Sequence, residues 1–285
     1  MEGMQPIGTF MDEIKRRIQL IKQQQTQSGT SSRKPSYRCE KCKDSEWIWT
    51  GWEAARPCEC QEKRKYERRM NYAMIPDDFK ETTLDSYIQE TAIQRKMFDL
   101  VERYLTDFPF IKNEKQNSLG FIAKYGETRI NEMGVHKHDP RYNSFGLGKT
   151  HLKIGAAKWL IDEGYTVLIV KDVVVMDELV NARRSDDGGE EYNRIISRLI
   201  NAPVLVWDDL GKSNPTQAKE RIYFHIFNER AQARRPILFS SNEDADTLSE
   251  RIGGGAWSRL AGMSGKYLMA TYGPDFRLTG ARANG

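Results

Sequence analysis

The stretch from residue 143 to residue 152 has the composition of a loop that binds nucleotide phosphates. Glycines let several backbone N–H groups point at one anion, and a following helix turns its positive N-terminal end to the same point. We expect Lys149 to reach the β- and γ-phosphates of ATP and the Thr150 hydroxyl to ligate Mg²⁺. The residues predicted to hold the nucleotide are Asn143, Ser144, Phe145, Gly146, Leu147, Gly148, Lys149, Thr150 and His151.

Asn143 departs from the usual pattern of this loop. The pattern G-x-x-x-x-G-K-[ST] has glycine at the position of Asn143. Asparagine tolerates a positive φ better than other non-glycine residues, so the loop is predicted to keep its shape with Asn143 in that place. Because a short Gly-Lys-Thr match also arises by chance, a second motif is needed to support a nucleotide site.

The second motif is Val-Leu-Val-Trp-Asp-Asp-Leu-Gly at residues 204–211. Four apolar residues that end in two carboxylates are typical of a buried parallel strand with acid at its C-terminal tip, where ligands bind in open α/β sheets. We expect Asp208 to hold Mg²⁺ through its water shell and Asp209 to orient or polarise the attacking water. The alternative is a strand that runs into an acidic turn. The two motifs, in this order, favour an ATP- or GTP-hydrolysing core.

The four cysteines form two close pairs, Cys39 with Cys42 and Cys58 with Cys60. Without a secretion signal, such pairs favour Zn²⁺ over disulfides, because tetrahedral thiolate sites are built from two short turns that face each other. Redox-active or free thiols are the alternative. Four protein ligands leave no coordination position for substrate, so the predicted role of the zinc is structural.

Composition restricts the class of protein. The 285 residues suffice for one substantial α/β core and a small additional module. Mean hydropathy is −0.68, no window approaches the ~18 apolar residues of a membrane span, and the start lacks a signal-peptide profile. We therefore expect a cytoplasmic protein without a membrane partner. A net charge of +4 says little about nucleic acid, and the basic run at 62–69 has the pattern of a solvated helix face.

The pattern along the chain predicts three parts. Residues 1–36 combine an amphipathic helix at 9–24, packed on its own protein or offered to a partner, with a flexible linker. Residues 37–74 hold the cysteines and a basic linker helix, and residues 75–285 form the ATPase domain. Alternating strands and helices in that domain predict an α/β fold.

Residues 125–142 separate the first predicted strand from the phosphate loop, although such a loop normally follows its strand within a few residues. The sequence therefore predicts an insertion here, with Gly126 as a candidate for the displaced first glycine of the loop. The two histidines of the insertion, His136 and His138, are expected to be solvent-exposed rather than metal ligands, because no carboxylate pair or cysteine lies near them in the sequence.

Two further residues could act on the reacting phosphate. Asn242 follows an apolar strand at 237–241, where its side chain could contact the γ-phosphate and the attacking water; taken alone, Ser-Ser-Asn would be an ordinary turn. Arg259 lies in a predicted short Ser-Arg-Leu helix start, and an arginine at a subunit edge can stabilise transition-state charge in a neighbour's site. A plain surface arginine is the alternative, with Arg251 and Arg230 as the other candidates.

The set of motifs resembles the DnaC/DnaI family of bacterial replicative helicase loaders, with IstB-like transposition helper ATPases as close relatives. The resemblance covers residues 37–278. It rests on the cysteine pattern, Ile-Pro-x-x-Phe, Gly-Lys-Thr-His-Leu, Trp-Asp-Asp-Leu-Gly-Lys, Ser-Ser-Asn, Ser-Arg-Leu and Gly-Pro-Asp-Phe-Arg. It implies an AAA+ P-loop core of three α/β layers with a parallel sheet, preceded by the small Cys₄ zinc module and the N-terminal helix.

The resemblance also implies roles for residues and partners. Position by position it assigns Lys149 and Thr150 to phosphate and Mg²⁺, Asp208 to Mg²⁺ and Asp209 to water activation. It assigns Asn242 the sensor role and Arg259 the role of a finger that acts in the neighbouring subunit. Two departures from the family, the insertion and a glycine at position 255 where many relatives have arginine, could alter nucleotide affinity or ring geometry.

The function that this resemblance implies is an ATP-dependent loader. It would deliver a hexameric replicative DNA helicase onto single-stranded DNA and self-associate through its AAA+ domain. The alternative is an IstB-like ATPase that regulates DNA transposition, but those relatives typically carry a helical N-terminus instead of a zinc module. A third hypothesis, a binding adaptor with an inactive ATP site, has only Asn143 in its favour, and the intact loop and acidic strand weigh against it.

Overall fold

The computed structural model describes residues 36–50, 54–136 and 138–279. The predicted N-terminal helix at 9–24 lies outside the described residues, as does the predicted linker up to residue 35. The chain divides into two compact units, one that ends at Gln61 and one that begins at Glu62. The domain boundaries given above stay a prediction.

The first unit is built around the cysteines and a short hairpin. Strands β1 (Trp47–Trp49) and β2 (Ala55–Pro57) pair antiparallel. The first cysteine pair lies in a tight turn in which the Lys43 N–H donates to the Cys39 carbonyl at 2.8 Å. The Cys58 N–H donates to the Glu46 carbonyl at 2.9 Å, which brings the second pair toward the first.

The second unit contains a five-stranded parallel sheet with the order β4-β5-β6-β3-β7. Successive residues of the central strands point to opposite faces, and apolar side chains from both faces are buried against helices. For example, Val206 packs on one side of the sheet and Trp207 on the other. The strands are β3 Leu119–Ala123, β4 Val167–Lys171, β5 Val204–Asp208, β6 Ile237–Ser240 and β7 Leu268–Thr271.

Helices cover both faces of this sheet, which confirms the predicted three-layer α/β fold. Helices α2 and α4 pack on one face, and the cluster on the other face draws on α5 to α9. The helices are α1 Cys60–Ala73, α2 Ala92–Ile111, α3 Glu127–Glu132, α4 Lys149–Asp162, α5 Asp172–Ala182, α6 Glu190–Asn201, α7 Gln217–Gln232, α8 Ala245–Ile252, α9 Gly254–Ser264 and α10 Phe276–Thr279, with 3₁₀ turns at Asp77–Phe79 and Gly265–Tyr267.

The region after β6 differs from the sequence expectation. Two helices, α8 and α9, occupy residues 245–264, so Arg259 lies in the middle of a helix rather than at a helix start. The sequence did not predict these helices because three consecutive glycines, at 253–255, are unfavourable in a helix. Gly253, with φ +91°, separates the two helices, and the other glycines form the first turn of α9.

Candidate functional site

The phosphate loop and the strand β6 converge on the ammonium group of Lys149. Its Nζ donates to the carbonyl oxygens of Ser144 at 3.0 Å and Ser241 at 3.2 Å, and to Asn242 Oδ1 at 2.7 Å. Burial lowers the pKa of Lys149 to about 7, since desolvation disfavours the charged form. The structure therefore brings the predicted phosphate-binding lysine and the predicted sensor asparagine together at one edge of the sheet.

Thr150 and Asp208 form the second part of the site. The Thr150 hydroxyl donates to Asp208 Oδ1 at 3.0 Å, so the two oxygens predicted to serve Mg²⁺ face each other. Desolvation works against ionisation of Asp208, but the charge of Lys153 and hydrogen bonds from Lys153, Thr150 and Ser240 keep its pKa below the usual value. Asp208 is thus an ionised carboxylate, and the donor set fits a hard cation such as Mg²⁺.

Lys153 is a site residue that the sequence analysis missed. Its side chain is fully buried, pairs with Asp208, and also donates to the Trp207 carbonyl at 3.2 Å and to Ser240 Oγ. A lysine four positions after Lys149 on a helix, surrounded by apolar and small residues, was the available signal, because such a residue lies on the same helix face.

Asp209 has a backbone conformation that side chains rarely adopt. Its φ is +52°, whereas β5 ends at Asp208 in extended geometry. The Leu210 N–H donates to the Ser240 carbonyl at 2.8 Å and fixes the turn. Burial and the neighbouring charge of Asp208 raise the pKa of Asp209. Strained conformations and raised carboxylate pKa values are both typical of functional sites, and a carboxylate of higher pKa accepts a proton more readily.

Asn143 contributes to the loop in a different way from the one expected. It is absent from the residues with positive φ, so tolerance of that conformation is not its role. Its buried side chain donates to the carbonyl oxygens of Phe145 at 2.9 Å and Gly273 at 2.7 Å, and its Oδ1 accepts from the Phe145 N–H at 2.9 Å. Asn143 therefore ties the phosphate loop to the segment that follows β7.

That segment contains three more residues near the site that lacked an assigned role. The Phe276 N–H donates to the Gly146 carbonyl at 3.2 Å, and Asp275 packs so tightly that a Cβ on Gly146 would lie 1.6 Å from its Oδ1. The charge of Arg277 is close enough to contribute to the lowered pKa of Lys149. The Gly-Pro-Asp-Phe-Arg motif thus lies against the phosphate loop, although the two are 130 residues apart in sequence.

His138 in the insertion and His151 at the end of the phosphate loop contact other segments of the chain. His136 is exposed, but His138 is half-buried, with its Nδ1 3.4 Å from Asp275 Oδ2. His151 Nε2 lies 2.9 Å from the Thr83 carbonyl oxygen, so its ring faces the segment before α2. Within the described ranges, the four cysteines are the only group of three or more side chains positioned to hold one metal ion together.

The three arginines considered as fingers differ in accessibility. Arg259 is exposed on α9, where its Nε donates to Asn228 Oδ1 at 3.1 Å. Arg230 is fully buried and donates to four backbone carbonyls, among them those at the end of α6. Arg251 donates to the carbonyls of Gly211 and Ser213 in its own subunit. Arg259 therefore remains the candidate that a neighbouring subunit could meet.

The four cysteines form a candidate zinc centre in the first unit. All four sulfurs lie within 4.8 Å of one another, with Cys39 Sγ 3.7 Å from Cys58 Sγ and Cys42 Sγ 3.5 Å from Cys60 Sγ. Zn–S bonds of ~2.3 Å in a tetrahedron place sulfurs ~3.8 Å apart, so the cluster fits the metal. A backbone hydrogen bond from Cys42 lowers the pKa of the Cys39 thiol to about 7, whereas burial raises that of Cys60 to about 12, so the sulfur geometry and not the thiol pKa values is the argument for the metal.

Comparisons with known proteins agree with this geometry. Residues 143–253 match the family of IstB-like ATP binding proteins. The chromosomal replication initiator protein DnaA of Thermoanaerobacter sp. (strain X514) is 31% identical over 116 residues, which are 39% of this chain and 25% of DnaA. The chain thus spans about a quarter of the length of this curated relative.

Solved structures share the fold of the chain. The DnaC helicase loader superposes with a TM-score of 0.53 at 18% identity, over 68% of this chain and 99% of DnaC. DnaI superposes with a TM-score of 0.52 at 19% identity, over 73% of this chain and 98% of DnaI. In the part of the chain that the structure describes, no helix is both long and apolar enough to cross a membrane.

Proposed function

We propose that this protein hydrolyses ATP to load a helicase, because residues 143–253 match the IstB-like ATP binding proteins and the chain shares the fold of the solved DnaC and DnaI chains. The helicase would be the hexameric replicative DNA helicase, and the product a helicase ring on single-stranded DNA at the start of replication. The observation that carries the proposal is the convergence of Lys149, Thr150, Asp208 and Asn242 on one edge of a sheet that superposes on a helicase loader.

In the proposed reaction each residue has a separate task. The loop and Lys149 bind the phosphates, Thr150 and Asp208 hold Mg²⁺ and its water shell, and Asn242 contacts the γ-phosphate. Asp209, whose pKa is raised by burial, orients the attacking water and accepts its proton. Arg259 of one subunit stabilises the transition-state charge in the next, which makes activity depend on self-association.

Helicase loading is favoured over the two alternatives. The likeness covers 99% of the solved chain of the DnaC helicase loader, and the cysteine module that precedes the ATPase core is the pattern for which the sequence resembles the loader family. The match of residues 143–253 to IstB-like ATP binding proteins fits both a loader and a transposition regulator, so it does not favour the second. The hypothesis of an inactive ATP site rested on Asn143 alone. Asn143 does not support it, because its side chain stabilises the phosphate loop with three hydrogen bonds.

Substitution at Asp209 tests the hydrolysis part of the proposal. Asp209→Asn should retain ATP binding and lose turnover, because the carboxylate acts on water rather than on the nucleotide, whereas Lys149→Ala should weaken both. Asp99→Asn, at an exposed position of α2, is a matched control that should leave both unchanged. Hydrolysis by Asp209→Asn at the parental rate, with DNA and helicase present, would contradict the assignment.

Loading onto a closed circle tests the helicase part. A hexameric ring cannot thread onto single-stranded DNA that has no ends, so retention of the host's replicative helicase on such circles requires that the ring be opened. We expect retention with the parental protein and ATP, and none with Lys149→Ala. If the helicase is retained equally without the protein, or if the protein binds only duplex DNA and no helicase, loading is not its function and the transposition alternative becomes the better one.

A further inference from the structure

The first turn of the insertion is joined to the segment that carries Asn242. The Glu127 N–H donates to the Asn242 carbonyl at 3.0 Å. Thr128 donates to the carboxylate of Glu243 twice, from its N–H at 3.1 Å and from its hydroxyl at 2.8 Å. The Gly126 N–H donates to Asp244 Oδ2 at 2.9 Å. Three consecutive residues of the insertion therefore bind three consecutive residues of the sensor segment.

The junction between residues 126–128 and residues 242–244 is closely packed. Glu243 is 7% exposed and Asp244 is 6% exposed, so their carboxylates depend on these donors in place of water. A Cβ on Gly126 would lie 2.7 Å from Glu243 Oε2 and 2.9 Å from the backbone nitrogen of Asp244. Gly126 has φ −68°, so glycine is required here for close approach and not for a left-handed conformation.

Asn242 is the residue between this junction and the phosphate loop. Its backbone carbonyl accepts from the insertion, and its side-chain Oδ1 accepts from Lys149 Nζ at 2.7 Å. A side chain that acts on a phosphate has to be held within about 0.5 Å of its productive position. Asn242 lies two residues after the end of β6. The Glu243 carbonyl also accepts from the Ala123 N–H at 3.0 Å, and the Glu243 N–H donates to Ser241 Oγ at 3.1 Å, so the insertion supports the position of Asn242 together with these contacts.

We propose that Gly126, Thr128 and Glu243 are positioning residues for the sensor Asn242, and that the insertion sets the rate of the ATPase through this contact. The inference rests on the proposed ATP hydrolysis and deepens it. The ion pair between Glu127 and Lys212 at 2.8 Å is solvent-accessible and adds little by comparison. Only the start of the insertion, at Gly126 to Thr128, makes these contacts, and through these bonds it touches neither the loop glycines nor the acidic strand.

Rates and affinities of three variants test the proposal. Gly126→Ala forces the turn away from the sensor and should lower kcat by about 10–100-fold, since a displacement of ~1 Å costs that order of rate. Thr128→Val removes one hydrogen bond and should lower kcat about fivefold, a loss of ~1 kcal/mol. Thr128→Ser keeps the hydroxyl and should restore the parental rate. ATP affinity should stay within twofold in all three, which also reports that the core is folded.

A control and a double-mutant cycle distinguish positioning from general damage. Asn131→Ala changes an exposed residue of the same helix, α3, and should leave kcat unchanged. In an Asn242→Ala background, Thr128→Val should cause no further loss, because its effect passes through the missing side chain. A further loss by the same factor, or a parental kcat for Gly126→Ala, overturns the inference while ATP hydrolysis stands. If the parental protein does not hydrolyse ATP with helicase and DNA present, the proposed function and this inference fall together.

Discussion

Glycine at position 143, as in the usual phosphate-loop pattern, should destabilise this protein. Motif comparison alone predicts that Asn143→Gly improves the phosphate loop. The structure predicts the reverse, because the substitution removes two donors and one acceptor from a fully buried position. The carbonyls of Phe145 and Gly273 and the Phe145 N–H would each lose a partner. The loop would lose one of its hydrogen bonds to the segment after β7, while the backbone bonds from the Gly273 N–H and the Phe276 N–H remain.

The size of the effect follows from the hydrogen bonds. Three bonds at ~1 kcal/mol each give a loss of about 3 kcal/mol in the free energy of unfolding. For a domain of this size about 2–4 °C of Tm correspond to 1 kcal/mol, so the core transition should fall by about 6–12 °C. Asn143→Asp should be worse still, because it keeps the acceptor but places a carboxylate against the Phe145 and Gly273 carbonyl oxygens.

Thermal and urea unfolding of the full chain measure this directly, with ATP affinity as a second readout. We expect affinity to fall together with stability, because the loop backbone loses its support. Asn131→Ala is a suitable control for loss of an asparagine side chain, since Asn131 is exposed. If Asn143→Gly melts at or above the parental temperature, the side-chain bonds of Asn143 do not stabilise the loop and the reasoning is wrong.

Three other expectations concern the metal, the buried lysine and the assembly. Purified protein should carry one Zn²⁺ per chain, and Cys58→Ser should unfold the first unit but leave the thermal transition of the ATPase core unchanged; metal analysis without zinc would contradict this. Lys153→Met should cost about 3–5 kcal/mol in urea unfolding at neutral pH, because it leaves Asp208 buried without its ammonium partner. Because Lys153 helps to lower the pKa of Asp208, this difference should shrink as the pH falls and Asp208 becomes protonated. Arg259→Ala should keep nucleotide affinity and lose about 10³-fold or more in hydrolysis, and mixing it with Lys149→Ala should restore partial activity if the finger acts between subunits.

The strands and most helices of the core were predictable because their signals are local. The apolar run before Asp208 predicted β5, and the glycine-lysine-threonine motif predicted the start of α4. The predicted and observed ends of these elements differ by at most two residues. Helix α9 was predictable in principle from its buried Ala256, Leu260 and Met263, which recur at helical spacing. Three consecutive glycines outweighed that periodicity, although Gly253 alone makes the break.

The contacts of Asn143 and Lys153 were not predictable in the same way. The distant partner of Asn143 is Gly273, after β7, and Lys153 on α4 pairs with Asp208 at the end of β5. Neither spacing corresponds to a helix or strand period, so no pattern in the sequence reports the contact. The polar residue types were visible, and a polar residue that is to be buried requires a partner, but the identity of that partner depends on the order of strands in the sheet.

The same strand order explains why an insertion at residue 125 reaches the sensor. Strand β3 lies between β6 and β7 and runs parallel to both, so the chain leaves β3 at the edge of the sheet where it also leaves β6. Leu119 is in register with Leu238 and Phe121 with Ser240, so the ends of these strands are neighbours. A segment added directly after β3 therefore emerges beside Asn242, whereas one added after β4 would emerge two strands away from it. Sheet topology thus makes this position one of the few at which added residues can act on the sensor without displacing the phosphate loop.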